Sequence, residues 1–145
     1  MSLLIAARTA QDVLESEFTF NFNDTMVPVG GGAAVDFGET NTSATTVMII
    51  PLPPGATVVG GSVDTVEAFD GGLTADIGDA TDPNRYLAAG AVGGVGRVPL
   101  VPTGYLGEVG ENVDMVFTAG ASTTGRATVR VQYTVAERAC EVQIA

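Results

Sequence analysis

The sequence contains no histidine, no lysine and no tryptophan, and each absence removes a class of function. Without histidine the chain lacks the usual general base and the commonest metal ligand, so Ser-His-Asp and Cys-His catalytic sites are excluded. Its positive charge consists of six arginines against 17 acidic residues, for a formal net charge of -11. Nucleic acid and anionic membranes both require a basic patch, so we expect neither of them as a partner.

Cysteine and long apolar runs are also scarce. The single cysteine, Cys140, excludes an internal disulfide framework, and we interpret it as a small apolar residue near the end of a strand. The apolar stretch at residues 3–7 is too short for a signal peptide, and no window approaches a membrane span. We therefore expect the mature protein to be the whole chain, synthesised in a cytoplasm. The missing tryptophan also weakens a sugar-binding interpretation, because flat aromatic platforms are typical of carbohydrate sites.

Short β-strands are the pattern that remains. The composition is 46% hydrophobic, but 19 glycines and 7 prolines divide the apolar residues into short runs. Phe18, Phe20 and Phe22 alternate with polar residues, and residues 112–118 and 127–135 alternate in the same way. About eight to ten such strands follow one another at spacings of about 8 to 12 residues, which predicts an all-β sandwich in a single domain.

Residues 49–61 predict a strand, a sharp corner and a second strand, because a β-branched run meets three prolines and a glycine. The near-continuous apolar strand at residues 45–52 is expected in the centre of a sheet, covered on both faces. The glycine pair at residues 60–61 indicates a β-bulge or a corner. The Asp-Gly-Gly sequence at residues 70–72 is typical of a turn that joins antiparallel strands.

Residues 1–17 are predicted to form an N-terminal arm or short helix ahead of a sandwich of residues 18–145. Thr9 and Asp12 have the spacing of a helix-capping pair, and this is the only segment with a plausible helical pattern. The aliphatic residues of the arm either pack on the protein's own sheet or lie on a neighbouring subunit or another protein. These residues are Leu3, Leu4 and Ile5.

The strongest candidate for site chemistry is an acidic loop that carries Asp76, Asp79 and Asp82. Three carboxylates at this spacing can supply the oxygen ligands that calcium prefers, although the pattern is not that of an EF-hand. The alternative is a structural loop in which the aspartates form turns and Arg85 pairs with one of them. Contact with a partner protein is a third interpretation.

Three stretches resemble the small head proteins of tailed bacteriophages, and above all their capsid decoration, or cement, proteins. They are Leu-Pro-Pro-Gly-Ala-Thr-Val at residues 52–58, Ala-Phe-Asp-Gly at residues 68–71 and the aspartate loop at residues 76–86. The resemblance extends over about residues 45–94. Outside that stretch only the chain length and the rhythm of the strands agree.

The resemblance implies a jelly-roll sandwich that assembles as a dimer or trimer on the outside of an icosahedral phage head. There it would bridge major capsid protein subunits, with no catalytic residue, metal or cofactor. Terminal arms usually make the contacts in such proteins, which nominates Leu3, Leu4, Ile5 and Arg8 for contact with the capsid or with a second subunit.

A second hypothesis is a β-sandwich module of a tail fibre or surface protein that binds carbohydrate or another ligand, with calcium bound in the acidic loop. An enzyme is the least favoured alternative. It would require two carboxylates of well-separated pKa in one cleft.

Overall fold

The structure, a computed structural model, describes residues 7–9, 13–136 and 140–142. These residues form 13 strands and no helix, so none of them forms a helix that could span a membrane. The strands are β1 (Ala7–Thr9), β2 (Leu14–Asn21), β3 (Thr25–Met26), β4 (Val35–Asp36), β5 (Thr45–Ile50), β6 (Ala56–Glu67), β7 (Leu73–Gly78), β8 (Leu87–Ala91), β9 (Gly96–Pro99), β10 (Leu106–Gly107), β11 (Val113–Ala119), β12 (Arg126–Val135) and β13 (Cys140–Val142).

Two antiparallel sheets make the body of the molecule. The first has the order β2-β12-β6, with β9 and β10 paired to the free side of β6. The second has the order β5-β11-β7-β8. The path enters the first sheet with β2, crosses to β5, returns to β6, crosses to β7 and β8, returns to β9, and closes with β11 and β12. This is the connectivity of a jelly roll, so the predicted all-β sandwich is confirmed.

The core lies between the sheets and follows the alternation of the sequence. Phe20, on the predicted aromatic face of β2, is buried, and its ring centroid lies 4.6 Å from that of Phe37. Phe37 in turn lies 4.9 Å from Phe117 of β11, so aromatic rings link the two sheets. Full burial of each such side chain stabilises the fold by about 1.5–3 kcal/mol. Beside Phe20 on the first sheet, the inner face is continued by alternate residues of β12, namely Ala127, Val129 and Val131.

The glycine pair at residues 60–61 stands where β6 bends, as predicted. Gly60 pairs with Gln132, whereas the next pair is Val58 with Tyr133, so one residue of β6 is extra and forms a bulge. Gly61 has a φ of 142°, and a Cβ at this position would lie 2.2 Å from the carbonyl oxygen of Arg130. Only glycine allows the two strands to approach so closely there.

Two predictions are wrong, one about the position of β5 in its sheet and one about the turn at residues 70–72. Strand β5 lies at the edge of its sheet among the described strands, not at the centre. Its apolar run has another cause: a register shift opposite β11 leaves Ile49 without a partner, and both Ile49 and Ile50 are buried. Residues 70–72 do not close a hairpin either, because β6 and β7 belong to different sheets and this segment crosses between them.

The helix predicted within residues 1–17 is also wrong where the structure describes it. Residues 14–17 belong to β2, and the sandwich therefore begins before residue 18. Strand β1 pairs with β13, with Ala7 opposite Val142, so the two terminal segments form a ribbon of their own. Thr9, the predicted cap, lies in β1, in keeping with the strand preference of a β-branched residue. The remainder of the segment, including Leu3, Leu4 and Ile5, lies outside the described residues.

Candidate functional site

Three loops meet at one end of the sandwich, which we call the acidic end: residues 51–55, 79–86 and 101–112. They meet because β5 and β7 both finish beside the start of β11. Ile50 pairs with Val113, and Gly78 pairs with Asp114. The acidic loop singled out in the sequence is therefore placed against residues that are far from it along the chain.

Asp79 is the centre of its loop. Its carboxylate accepts hydrogen bonds from the Thr81 and Asp82 backbone N–H groups and from the Thr81 hydroxyl, at 2.8–3.0 Å. The Arg85 guanidinium pairs with it through an Nε–Oδ2 contact of 2.5 Å. Burial opposes the charge, but the hydrogen bonds from Arg85 and Thr81 outweigh it and lower the pKa of Asp79 to about 2. Asp79 therefore stays ionised near neutral pH, and its carboxylate serves to hold the loop in shape.

Arg85 continues into a second set of contacts. Its guanidinium carbon lies 3.5 Å from the centroid of the Tyr105 ring, a cation–π contact. The Tyr105 hydroxyl donates a hydrogen bond of 2.6 Å to Glu111 Oε1. The chain of contacts from Asp79 to Glu111 joins two loops of the acidic end, residues 79–86 and 101–112. The third loop is attached by the Gly55 backbone N–H, which donates a hydrogen bond of 2.8 Å to the Gly107 carbonyl. Glu111 Oε2 is buried and has no hydrogen-bond partner among the described residues.

Tyr86 lies beneath this cluster. Its side chain is buried, its backbone N–H bonds to Ile77, and its carbonyl accepts a hydrogen bond from Val101. Burial, followed by the negative charge of Asp79, raises the pKa of Tyr86 to about 12. The phenol therefore stays neutral across the physiological range, where it has no role as an acid or a base.

Beside the cluster, the outer face of the second sheet carries a hollow that we call the trough. Two adjoining depressions of about 330 and 300 Å³ share Val29, Ala80 and Asp114 as lining residues. The rest of the lining is mostly apolar and includes Met48, Val116 and Pro83, with Glu111 at one end.

Asp114 forms the charged part of the trough. Asp114 is only 7% exposed, and its carboxylate makes no hydrogen bond or ion pair within the described chain. Burial raises the pKa of Asp114, and the nearby negative charge of Asp79 raises it further. The carboxylate is not fully enclosed, so within the described chain only the solvent of the trough balances its charge.

The structure does not bring the three predicted aspartates together. Asp76 lies on the outer face of β7, where its carboxylate accepts a hydrogen bond from the backbone N–H of Ala89. Asp79 is committed to Arg85, as the structural interpretation of the loop expected, and Asp82 contributes its backbone to the turn. Within the described ranges, no group of three or more His, Cys, Asp or Glu side chains is placed to hold a metal ion.

The predicted contact residues of the arm are not tested by this geometry. Leu3, Leu4 and Ile5 lie outside the described residues. The backbone of Arg8 belongs to β1, opposite Glu141 of β13, and nothing is described of its side chain. Their role in contact with a capsid or a second subunit stays a prediction.

A charged network covers the outer face of the first sheet. Arg130 pairs with Asp64 at 3.0 Å and with Glu17 at 2.5 Å, and Arg97 pairs with the same Asp64 at 2.7 Å. Arg130 thus neutralises carboxylates of its own sheet. Exposed pairs of this kind contribute about 0–1 kcal/mol each.

Sequence reasoning missed Tyr105, Glu111 and Asp114. The alternation of residues 112–118 correctly placed Asp114 on the outer face of β11, which was the only available signal. An outward-facing aspartate is ordinarily solvated. Its burial arises because Val29 and Ala80, from distant segments, come to line the same hollow.

The architecture matches known structures, although no known sequence family matches the chain. No family model matches the chain, and the search of curated proteins found no match. Solved structures do match over nearly the whole length. The fold is one found in phage capsids.

A chain of the cyanophage Pam1 capsid asymmetric unit has a TM-score of 0.60 and 21% identity, covering 93% of this chain and 94% of its own. A chain of the acid-stable capsid of Helicobacter pylori bacteriophage KHP30 also has a TM-score of 0.60, with 12% identity over 98% of this chain and 100% of its own. A chain of the capsid of Ralstonia phage GP4 has a TM-score of 0.55 and 15% identity, with coverage of 93% and 91%. At these identities the likeness is one of fold.

Proposed function

We propose that the protein is a structural component of a phage virion, specifically a decoration, or cement, protein on the outer surface of a tailed-phage head. In this role it bridges neighbouring major capsid protein subunits and stabilises the shell without catalysing a reaction. The observation that carries the proposal is the match of the fold, over 93–98% of the chain, to chains of three phage capsid structures.

The chemistry of the acidic end agrees with a non-enzymatic role. Asp79, with a pKa of about 2, and Tyr86, with a pKa of about 12, do not exchange protons near neutral pH. Their contacts hold loops together instead. A protein that joins subunits requires loops that keep their shape, and these contacts fix the loops at residues 79–86 and 101–112.

The proposed partner is the major capsid protein, and the proposed active form is a homo-oligomer, a dimer or trimer. Interfaces of about 1,000–2,000 Å² would be sufficient, because an oligomer attached at several points gains affinity through its effective concentration. The net charge of -11 keeps free protein from associating at random and disfavours the packaged nucleic acid as a partner.

Co-sedimentation with heads tests the proposal. Purified protein is mixed with cognate phage heads from which it has been removed, and the number of copies bound per major capsid subunit is measured. We expect saturation at a ratio fixed by the symmetry of the shell, together with greater resistance of the heads to heat. Failure to bind under conditions where the purified protein remains folded would refute the decoration role.

The oligomeric state is measured in the same preparation by sedimentation velocity before the heads are added. A dimer or trimer is the expected species. A monomer that still saturates the heads at a fixed ratio would retain the decoration role and refute the proposed oligomer.

A further inference from the structure

The trough combines an apolar lining with a carboxylate that lacks a partner. Val29, Met48 and Val116 provide aliphatic surface, and Asp114 lies between them at 7% exposure. Glu111, whose Oε2 is buried without a hydrogen bond in the described chain, lines one end. Asp114 and Glu111 thus line one mostly apolar hollow together with Asp79, which is already paired with Arg85.

No described arginine of the chain satisfies these carboxylates. Arg85 is paired with Asp79, and its guanidinium lies over Tyr105. Arg97 and Arg130 are paired on the outer face of the other sheet, and Arg126 lies exposed in β12 of that same sheet. The chain has no lysine that could serve instead.

We propose that the trough binds an arginine or lysine side chain from an extended segment of a partner protein. The charged group meets Asp114, with Glu111 adding negative charge at one end of the trough, and its methylene stem lies along Val29, Met48 and Val116. That the partner is the major capsid protein rests on the proposed function. The trough itself is argued from this chain alone.

The shape and chemistry favour a basic side chain over a metal ion. Calcium takes six to eight oxygen ligands, and the described residues place no group of three acidic side chains around one point. An arginine or lysine side chain needs an acceptor at its tip and apolar surface along its stem, which is the arrangement present here. Nucleic acid would be repelled by the same carboxylates.

The decisive variant is Asp114→Asn, which keeps the shape of the side chain and removes its charge. Removing an unpaired buried charge should leave the melting temperature of the free protein unchanged or higher. Loss of the charge should weaken binding to heads by about tenfold or more, since truncating one partner of a buried charge pair acts mainly on dissociation. A purely structural role for Asp114 predicts the reverse: a lower melting temperature and unchanged binding.

Glu39→Gln is the matched control, because Glu39 is an exposed acid in a loop at the opposite end of the sandwich. It makes the same change in net charge and should bind heads as the unmodified chain does. A second variant, Val29→Arg, retains Asp114 and supplies a cation at the rim of the trough. We expect it to weaken binding to heads without loss of folding.

A direct titration separates the trough from the decoration role. The ¹⁵N-labelled chain is titrated with the peptide acetyl-Gly-Arg-Val-Gly-amide and, in parallel, with acetyl-Gly-Gln-Val-Gly-amide. We expect backbone shifts at Val29, Ala80 and Asp114 with the arginine peptide alone, and their loss in Asp114→Asn. Equal shifts with both peptides, no shifts with either, or shifts at these residues produced by calcium chloride alone would overturn the inference.

The outcomes distinguish the two proposals. If the unmodified chain does not bind heads but the arginine peptide does bind the trough, the decoration role fails and the trough stands. If the chain binds heads and Asp114→Asn binds them equally well, the decoration role stands and the trough inference is overturned.

Discussion

Ala89 adopts a backbone conformation that is unusual for its type. Its φ is 48°, in the left-handed region, at a point where the pairing of β8 with β7 shifts register. The carboxylate of Asp76 accepts the hydrogen bond of the Ala89 backbone N–H, which fixes the irregular turn. The role of Asp76 is thus local support of the sheet edge, since its carboxylate lies apart from the other two aspartates of its loop.

Replacing this alanine with glycine should stabilise the protein. Ala89→Gly relieves the left-handed strain and is expected to raise the free energy of unfolding by about 0.5–1 kcal/mol. Equilibrium unfolding in urea measures the change. Ala88→Gly is the matched control, since Ala88 is exposed in the same strand at negative φ and should lose stability on substitution. A loss of stability in Ala89→Gly would show that the conformation is not strained.

The depressed pKa of Asp79 predicts acid sensitivity. Its folded-state value of about 2 lies below the ordinary 3.8, so its stabilisation is present above pH 3.8 and is lost as the pH falls through about 2. We expect Asp79→Asn to cost about 2 kcal/mol at neutral pH and to flatten the dependence of stability on pH in the acid range.

Thermal unfolding measured as a function of pH tests this prediction. Asp82→Asn is the control within the same loop, because the Asp82 carboxylate makes no hydrogen bond among the described residues. Its effect should stay within about 0.5 kcal/mol. An equal loss for both variants would contradict the central role assigned to Asp79.

Asp36, at the opposite end of the sandwich, also makes the stability of the fold depend on pH in the acid range. Burial opposes its charge, but hydrogen bonds from the Thr40 hydroxyl and from three backbone N–H groups lower its pKa below the ordinary range. Protonation at low pH therefore loosens the loop at residues 38–41. Asp114, whose pKa is raised, behaves in the opposite sense, since its protonation removes an unfavourable buried charge.

At the scale of the strands, the alternation of polar and apolar residues predicted which segments form strands and which of their faces point into the core. Strands β2, β11 and β12 and their inward faces follow from period-two patterns, and all three are confirmed. The edge position of β5 could not be predicted from its apolar run. Consecutive buried residues there result from a bulge opposite β11, a feature set by pairing between strands that are distant in sequence.

The terminal ribbon supports a prediction about assembly. Strand β1 pairs with β13, and no other pairing of β1 occurs among the described strands. Deleting residues 1–8 should therefore lower the stability of the sandwich by no more than about 1 kcal/mol. If the arm contacts the capsid, the same deletion should weaken co-sedimentation with heads. Unchanged binding would refute the contact role of Leu3, Leu4, Ile5 and Arg8, and a large loss of stability would show that the ribbon is part of the core.

At the scale of the whole molecule, the distribution of charge distinguishes the outer faces. The face of the first sheet is neutralised by its own arginines, with Asp64 paired to both Arg97 and Arg130. The second sheet carries Asp76 and Asp114 on its outer face, and neither forms an ion pair within the described chain. The outer face of the second sheet therefore carries negative charge without a described arginine of its own to balance it, and Asp114 places part of that charge in the trough.

The candidate site shows where sequence reasoning ends. The pairing of Arg85 with Asp79 could be predicted because both residues lie in one loop. Tyr105, Glu111 and Asp114 join them only through the topology of the jelly roll, which brings the ends of β5 and β7 to the start of β11. A single sequence predicts which residues face outward, but not which distant loop will cover them.

The pairing of β1 with β13 brings the two terminal segments of the described chain side by side, with Ala7 opposite Val142. A short linker could therefore join them, and new termini could be opened in an exposed loop such as residues 101–104. Such a circularly permuted chain would keep every described strand of the sandwich while moving both chain ends away from the ribbon. It would also move the attachment point for a fused peptide from the ribbon to the acidic end.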